Sequence, residues 1–461
     1  MGGSRASSTA YGEAVHDVRR QLAAAPQDAP PRLAKRTSNL FRFREPPAGA
    51  TLDVAAFSGV LSVDPELRTA DVGGMTTYED LVAATLPHGL MPLVVPQLKT
   101  ITLGGAVAGL GIESTSFRNG LPHESVLEMD ILTGDGEVVL ARPDNEHSDL
   151  FFGFPNSYGT LGYALRLLIE LEPVRPTVAL RHLRFADAAE CADAITEICR
   201  RHAHGDDDAA PVDFIDGTVF GPDECYLTLG RFTEDAGPRS DYTGNRIYYR
   251  SIQDRTDDAL SVRDYLWRWD TDWFWCSRAL GAQHPLIRPL WPKRYLRSDV
   301  YRRIVAIDRR FRFSDRLRAL TRAPQQEPVI QDVEVPVDRL AEFLDFFHRE
   351  VGITPIWLCP LRLRGDRRWP LYPLEPDTLY VNVGFWSAVD VRDGERVGDR
   401  NAEIERVVTA LDGHKSLYST SFYSRAEFHR LYNGEEHDQL KRRYDPRGRL
   451  PGWYDKCVRG R

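Results

Sequence analysis

The chain has 461 residues, 42% of them apolar and 27% charged, which is ordinary globular composition and long enough for two domains with separate cores. Its formal net charge of −8 lacks the basic excess that duplex nucleic acid requires, so no nucleic-acid partner is expected. The six cysteines are scattered without a Cys-x-x-Cys pair, which argues against a zinc ribbon, an iron–sulfur site or a disulfide framework.

The sequence contains no stretch of about 18 uninterrupted apolar residues, so no transmembrane helix is predicted. Residues 1–30 are polar and Ala-rich without the apolar centre of a signal peptide, and we interpret them as a tail or short helix. A cytoplasmic location is therefore expected. Peripheral contact with lipid at the inner face of the membrane stays open, as does the oligomeric state.

Residues 31–175 show strand patterns joined by glycine turns and are predicted to form the first domain. Met129 and Ile131 alternate with acidic residues, and the turn Thr133–Gly136 follows them, so a hairpin is predicted. The apolar alternation from Leu165 to Leu171 predicts a further half-buried strand.

Residues 176–430 are predicted to form a second domain of two strand–helix–strand units. The apolar positions from Cys191 to Cys199 have helical spacing, so both cysteines are expected in a core. The second unit contains predicted strands at 329–335, 353–363 and 379–385 and a helix stripe from Leu340 to Phe347. Such units indicate an antiparallel sheet backed by helices. Residues 431–461 are expected to return to the first domain.

A dense aromatic run lies between residues 261 and 300 and includes Tyr265, Trp269 and Trp273. One interpretation is a helical hairpin packed on the sheet. The other is the wall of an apolar substrate cavity. The sequence does not decide between them.

The segment from Pro96 to Glu113 carries four glycines within the eight residues Gly104–Gly111. Glycines let the backbone approach a ligand closely and point successive N–H groups at it, which is one way to hold a diphosphate. A Rossmann fingerprint is disfavoured, because Ser114 fills the place of the third glycine and no strand precedes the motif.

Three features resemble the FAD-binding domain of the vanillyl-alcohol-oxidase type of flavoprotein, also called the PCMH type. They are Thr102–Gly105 after a proline-led turn, the hairpin at Thr133–Gly136, and Asp149-Leu150-Phe151 followed by Gly159–Tyr163. The implied fold class is α+β, with a PCMH-type FAD-binding domain and an α+β cap domain that contains an antiparallel sheet.

Within that superfamily the likeness to the Δ24-sterol reductase family extends over most of the chain. The similar stretches are Gly111–Ser116, Val329–Val333, Pro355–Pro360 and Trp453–Cys457. The last three lie outside the expected cofactor domain. The likeness therefore covers more than a shared flavin fold, and it extends to the actinobacterial reductases of methylene-branched fatty acyl chains.

The resemblance implies a set of FAD contacts. They are Arg36, Ser38, Pro96, Thr102, Leu103, Gly104, Gly105, Gly109, Gly111, Ile112, Ser116, Gly159, Thr160, Gly162, Lys441 and Arg443. Thr102–Gly105 would line the diphosphate, and a cation at Lys441 or Arg443 would stabilise the reduced flavin. The segment 35–39 has no glycine, so Arg36 and Ser38 would be the donors there, and no histidine, so the FAD is expected to be non-covalent.

The same likeness implies NADPH as the electron donor and an isolated carbon–carbon double bond as the group reduced. Such a bond must be protonated before or together with hydride transfer, which calls for an acid in a dry, apolar cavity. Glu113 is the first candidate acid, since it follows the glycine segment, and Tyr265 and Arg268 are the second. A structural role for Glu113 in the glycine turn is the competing interpretation.

The expected substrate is a lipid. The sequence interpretation leans towards a methylene-branched fatty acyl chain, reduced to its methyl-branched form as in tuberculostearic acid, with a Δ24-sterol side chain as the alternative. A flavin-dependent alcohol oxidase or dehydrogenase and a flavin-stabilised scaffold without activity are further alternatives. No metal site is expected.

Overall fold

The computed structural model describes residues 2–26, 29–35, 41–42, 49–204, 211–234, 237–311 and 324–460. Two separate antiparallel sheets with associated helices account for most of it, which confirms the predicted α+β class. A large hydrophobic core is shared by both sheets, and a second core lies on the other face of the second sheet.

The N-terminus forms a longer helix than the sequence interpretation expected. Helix α1 (Gly2–Ala24) buries Val18 and Leu22 in a small core with Tyr163. A short parallel pair follows, β1 (Arg32–Leu33) with β2 (Thr51–Leu52).

The first large sheet has six strands. They are β3 (Val60–Asp64), β4 (Thr69–Gly73), β5 (Leu90–Pro92), β6 (Val126–Leu132), β7 (Val138–Ala141) and β8 (Tyr163–Pro173), in the order β3-β4-β8-β6-β7 with β5 paired to β8. Its helices are α2 (Tyr78–Thr85), α3 (Leu103–Ala108), α4 (Ser116–Asn119) and α5 (Ser148–Gly153). Strands β6 and β7 form the predicted hairpin, and β8 is the predicted half-buried strand.

The second sheet has eight strands in the order β12-β9-β11-β10-β14-β15-β13-β16. They are β9 (Thr177–Phe185), β10 (Phe214–Gly221), β11 (Glu224–Thr233), β12 (Asp257–Ser261), β13 (Gln326–Pro336), β14 (Ile356–Leu361), β15 (Tyr380–Asp390) and β16 (His414–Lys415). The helices of this part are α6 (Ala188–His204), α7 (Tyr248–Asp254), α8 (Val262–Leu266), α9 (Ser298–Phe311), α10 (Leu340–Glu350) and α11 (Asp399–Ala410).

Helices α6, α10 and α11 cover one face of the second sheet. Cys191 and Phe347 pack there with the odd-numbered residues Val329, Val333 and Val335 of β13. The even-numbered residues of β13 therefore point to the opposite face, because side chains alternate along a strand. That opposite face is turned towards the first sheet.

The aromatic run is not a helical hairpin. After α8 the chain continues in short 3₁₀ turns at Asp270–Asp272 and Cys276–Leu280. Trp269 is buried in the large core shared by both sheets, whereas Trp273 and Phe274 reach a cavity.

The C-terminal part consists of α12 (Arg425–Leu431), α13 (Gly434–Tyr444) and α14 (Trp453–Cys457). Helix α13 packs on α5 of the first sheet, where the side chain of Leu440 fills the space beside Gly153. In the part of the chain that the structure describes, none of the helices is both long enough and apolar enough to cross a bilayer.

Candidate functional site

A cavity of about 880 Å³ lies between the glycine segment of the first domain and the open face of the second sheet. This volume is in the upper part of the range of about 300–1,000 Å³ in which proteins hold cofactors and drug-sized ligands. The two walls differ in chemistry. The first is mostly backbone and glycine, and the second is aromatic with one carboxyl group, that of Asp332.

The glycine wall is built around the start of helix α3. The hydroxyl oxygen of Thr102 accepts a hydrogen bond from the N–H of Gly105 at 3.3 Å, which caps the helix. The N–H of Gly104 donates to the carbonyl of Gly74 at 2.9 Å, so α3 lies directly on the backbone of the sheet. A Cβ at position 104 would lie 2.7 Å from that carbonyl oxygen, which is a steric clash. Glycine has no Cβ and therefore fits there.

Ten of the residues singled out from the sequence line this cavity. They are Pro96, Thr102, Gly104, Gly105, Gly109, Gly111, Ile112, Glu113, Gly159 and Gly162. The structure thus brings residues from two distant stretches of the first domain to one surface. Their individual roles stay predictions.

Five of the expected cofactor residues do not line the cavity. Leu103 is buried in the core, and the Ser116 hydroxyl accepts the Glu113 N–H at 3.0 Å. Thr160 bonds the Ser157 carbonyl, and Lys441 donates to the carbonyls of Thr160, Leu450 and Pro451. Arg443 pairs with Asp149 at 2.8 Å. The contacts of Lys441 and Arg443 hold helix α13 on the first domain, whereas those of Leu103 and Ser116 lie within that domain. Arg36 and Ser38 lie outside the described residues.

Other cations line the cavity instead. They are Arg32, Lys35, Arg302 and Lys456. The ammonium group of Lys35 is 3.3 Å from the Thr102 hydroxyl, next to the glycine wall. Lys456 belongs to the stretch Trp453–Cys457, which resembles the Δ24-sterol reductase family. That resemblance was the available sequence signal for a role of this lysine. Lys35 is the first residue of the segment 35–39, in which the sequence analysis named Arg36 and Ser38 as the donors.

The residues present fit a flavin dinucleotide. Gln97 and Tyr158 both line the cavity, and the side-chain oxygen of Gln97 and the hydroxyl of Tyr158 are buried without a hydrogen-bond partner in the described part of the chain. Buried polar atoms of this kind are normally satisfied, so a polar ligand is expected to bond them. The backbone N–H groups of the glycine wall and the cations suit the diphosphate of such a cofactor, and the aromatic wall suits its ring system.

Glu113 is buried at the boundary between this cavity and the core. Its Oε1 accepts the backbone N–H of Gln97 at 2.8 Å, and its Oε2 accepts the Gln97 side-chain amide at 2.7 Å. Burial raises the pKa of Glu113 to about 8, although Arg268 and these hydrogen bonds act in the opposite direction. The carboxyl group can therefore hold a proton at neutral pH.

Tyr265 and Arg268 lie behind Glu113 and do not line the large cavity. The Tyr265 hydroxyl is 3.1 Å from the hydroxyl of Ser114, and Arg268 stacks over the Tyr265 ring at 3.9 Å. Arg268 also forms a buried ion pair with Asp216 at 2.8 Å. This geometry gives both residues a supporting position rather than contact with a ligand in that cavity.

Asp332 is a buried acid that the sequence analysis did not single out. It lines the cavity from strand β13, directly opposite Gly384 of β15 in the strand register. The Trp386 indole N–H donates to the Tyr418 hydroxyl at 2.8 Å, and that hydroxyl donates to Asp332. Burial raises the pKa of Asp332 to about 7, so this carboxyl can hold a proton near neutral pH.

Aromatic rings line the same cavity as Asp332. Phe274 stacks on Trp386 with ring centroids 4.3 Å apart, and Trp357 meets Phe274 edge-on at 5.5 Å. Trp273 and Phe274 both have positive φ, 48° and 58°, which is rare for bulky side chains and typical of functional positions. The aromatic run therefore supplies part of the cavity wall, as one of the two interpretations proposed.

Comparisons with known proteins agree with this site. The model of a family described as an FAD binding domain matches residues 10–142. This match covers the glycine segment and the hairpin.

Most of the chain is also similar to Δ24-sterol reductases, and together with the FAD binding domain this makes it an FAD-dependent oxidoreductase. It is 27% identical over 446 residues to the Δ24-sterol reductase of Arabidopsis thaliana, an alignment that covers 89% of this chain and 77% of the relative. It is 25% identical over 417 residues to the human Δ24-sterol reductase, which covers 87% and 76%. A Caenorhabditis elegans homologue of Δ24-sterol reductase is 25% identical over 422 residues, which covers 87% and 77%. The similarity thus includes the second domain, and the suspected resemblance is confirmed.

Proposed function

We propose that the protein reduces an isolated carbon–carbon double bond of a lipid, with non-covalent FAD as cofactor and NADPH as electron donor. The observation that carries this proposal is that one cavity pairs the glycine wall with an aromatic wall that contains Asp332, a buried carboxyl group whose pKa is raised by burial to about 7. Residues 31–175 would hold the FAD, residues 176–430 would cover the substrate, and residues 431–461 would return to the first domain.

Reduced FAD supplies hydride when it is bound. The chain must supply the proton, because an isolated alkene has no carbonyl group to accept the charge of an added hydride. Among the described residues, the carboxyl groups that line the cavity are Glu113 on the first wall and Asp332 on the second, and both have raised pKa values. The rings of Trp386 and Phe274 beside Asp332 would steady positive charge on the alkene and exclude water.

Asp332 is the better placed donor of the two. Glu113 already has both oxygens bonded to Gln97, whereas Asp332 projects from the wall opposite the glycine segment. The hydrogen-bond chain from Trp386 through Tyr418 holds the Asp332 carboxyl in place. Glu113 would then orient Gln97 and the loop next to it.

The comparisons favour a sterol side chain over the methylene-branched acyl chain to which the sequence interpretation leaned. The relatives from plant, animal and human sources carry the name Δ24-sterol reductase. We therefore propose the Δ24-type double bond of a sterol or a similar branched lipid as the substrate class.

Anaerobic titration of the purified holoprotein tests the reaction class. NADPH should bleach the flavin, and a sterol with a Δ24 double bond should restore its colour and be recovered with two more hydrogens. Colour restored only by a methylene-branched acyl lipid would move the substrate to that class. Bleaching by an alcohol and not by NADPH would indicate an oxidase, and bleaching by neither would contradict the proposal.

A further inference from the structure

The second domain exposes an unusual number of apolar side chains on one segment. Of the eleven large apolar side chains that are exposed in the described part of the chain, six lie between residues 286 and 311. Four of them, Leu286, Leu290, Ile307 and Phe311, define what we call the docking face. Leu286 and Leu290 are 76% and 82% exposed. Clusters of this kind on a protein surface generally mark a site of association.

The docking face has two parts, residues 286–290 and helix α9, which contact each other. Trp291, which follows the first part, meets Tyr301 of α9 with ring centroids 6.1 Å apart. On α9, Tyr301 and Val305 pack against the core, whereas Ile307 and Phe311, one turn apart, are exposed. The helix is thus anchored by one side and presents apolar side chains on the other.

The same segment is strongly basic in an acidic protein. Residues 286–311 contain eight Lys and Arg against two Asp, in a chain whose net charge is −8. Arg288 and Arg297 bind carboxylates of the fold at 2.5 and 2.7 Å. The ammonium group of Lys293 lies 3.7 Å from a carboxylate oxygen of Asp241, but both side chains are largely exposed, and Arg294 and Arg310 are also exposed at the surface. Apolar side chains between basic ones are the composition of a surface that lies on anionic lipid.

We propose that the docking face binds the surface of a bilayer that contains anionic lipid, with Leu286 and Leu290 inserted at the boundary of headgroups and acyl chains. A second copy of the chain is a poorer partner, because a symmetric contact would bring two basic faces together. The docking face adjoins the cavity through helix α9, because Arg302 of this helix lines the cavity and the next residue, Arg303, is exposed at the surface. Binding to the bilayer does not depend on the reaction proposed above.

Flotation with lipid vesicles tests this proposal on the full-length holoprotein. The protein should float with vesicles of phosphatidylcholine that contain about one-third phosphatidylglycerol, and much less with phosphatidylcholine alone. The double variant Leu286→Ser/Leu290→Ser should lower the partition coefficient about tenfold or more, since two apolar side chains leave the bilayer. Lys293→Glu/Arg294→Glu should remove the preference for anionic vesicles.

The matched control is Leu61→Ser/Leu67→Ser, which removes two exposed leucines from the first domain. It should float like the original protein, and all variants should keep their FAD content and thermal midpoint. The proposal is overturned if the original protein does not float, or if both leucine double variants lose binding equally. A concentration-dependent dimer that Leu286→Ser/Leu290→Ser abolishes would assign the face to a second copy. Activity on detergent-dispersed substrate tests the reductase proposal separately.

Discussion

Gln97 binds both carboxylate oxygens of Glu113, with its backbone N–H at 2.8 Å and its side-chain amide at 2.7 Å. This arrangement joins the loop before helix α3 to the end of the glycine segment, so Glu113 has a structural task at the cavity wall. Whether it also gives a proton is a separate question. Variants of the two cavity acids can answer it.

We expect Glu113→Gln to retain most of the alkene reduction, within about tenfold of the original rate, because a positioned general acid contributes about 10²–10⁴-fold and Asp332 would still supply the proton. Glutamine keeps one oxygen for the Gln97 N–H but places an amide against the Gln97 amide. Some loss of FAD affinity is therefore expected. Stopped-flow measurement of flavin reoxidation by the alkene, with FAD content measured in parallel, separates the two effects. A loss of 10²-fold or more with FAD still bound would identify Glu113 as the donor.

Asp332→Asn should slow alkene reduction by about 10²-fold or more while reduction of the flavin by NADPH continues. Asparagine preserves the size of the side chain and cannot release a proton at neutral pH. The matched control is Glu334→Gln, which alters a buried carboxyl on the same face of β13 that bonds Tyr372 and Ser416 and does not line the cavity. If the control slows alkene reduction as much as Asp332→Asn does, the effect is one of folding and not of proton donation.

The sequence was sufficient for elements whose pattern is local. The alternation in β6, β8 and β13 and the helical stripes of α6 and α10 each reflect one buried face, so their types were predictable. Asp332 could not be recognised in that way. The odd-numbered residues of β13 are apolar and pack against the helices. The even-numbered residue Asp332 lines a cavity only because the other face of the sheet is turned towards the first domain, which the strand pattern alone does not show.

The sequence could not show which of its cations face the cavity, for a related reason. Lys35 and Lys456 are at opposite ends of the chain, and only the return of the C-terminal helices brings them to one cavity. Lys441 looked equivalent in sequence, yet its ammonium group donates to three backbone carbonyls. The sequence alone does not distinguish a lysine that binds backbone carbonyls from one that faces a ligand.

The rate of alkene reduction should fall as the pH rises through about 7 to 8. Burial raises the pKa of Asp332 from 3.8 to about 7 and that of Glu113 from 4.5 to about 8, and the donor must be protonated. The pH profile of the single-turnover rate therefore has a falling limb. In Glu113→Gln the limb should remain near 7. A limb that vanishes in this variant would assign it to Glu113.

The same two groups make the stability of the fold depend on pH. Because their folded-state pKa values exceed the unfolded values, the folded chain binds protons that the unfolded chain has released. Their contribution to the free energy of unfolding is full below about pH 4 and is lost as the pH rises to 8. Between pH 6 and 9 we expect thermal midpoints to decrease, and to decrease less in Asp332→Asn.

The FAD should leave the polypeptide on denaturation. Covalent flavin attachment generally needs a histidine or cysteine beside the ring, and among the described residues that line the cavity there is neither. Purified protein should carry one FAD per chain, and precipitation with acid should release the yellow colour into the supernatant. Colour that stays with the precipitate would place a flavin-linked residue in a part of the chain that the structure does not describe.

Gly104 and Gly105 should respond differently to the same substitution. A Cβ on Gly104 would lie 2.7 Å from the Gly74 carbonyl oxygen and 3.2 Å from that of Ala164, and neither backbone atom can move easily. Gly104→Ala should therefore lower the free energy of unfolding by about 1–3 kcal/mol, with a lower thermal midpoint even in protein stripped of FAD. A Cβ on Gly105 meets only the Thr102 hydroxyl at 2.8 Å and the Lys35 ammonium at 3.6 Å, on the cavity side of α3.

Gly105→Val should accordingly leave the FAD-free protein nearly as stable as the original and weaken FAD binding by about tenfold or more, since the side chain would occupy the space assigned to the diphosphate. Fluorescence titration of the stripped protein with FAD measures the affinity, and urea unfolding without FAD measures the stability. Equal loss of stability in both variants would mean that Gly105 also serves packing. Unchanged FAD affinity in Gly105→Val would move the diphosphate away from the start of α3.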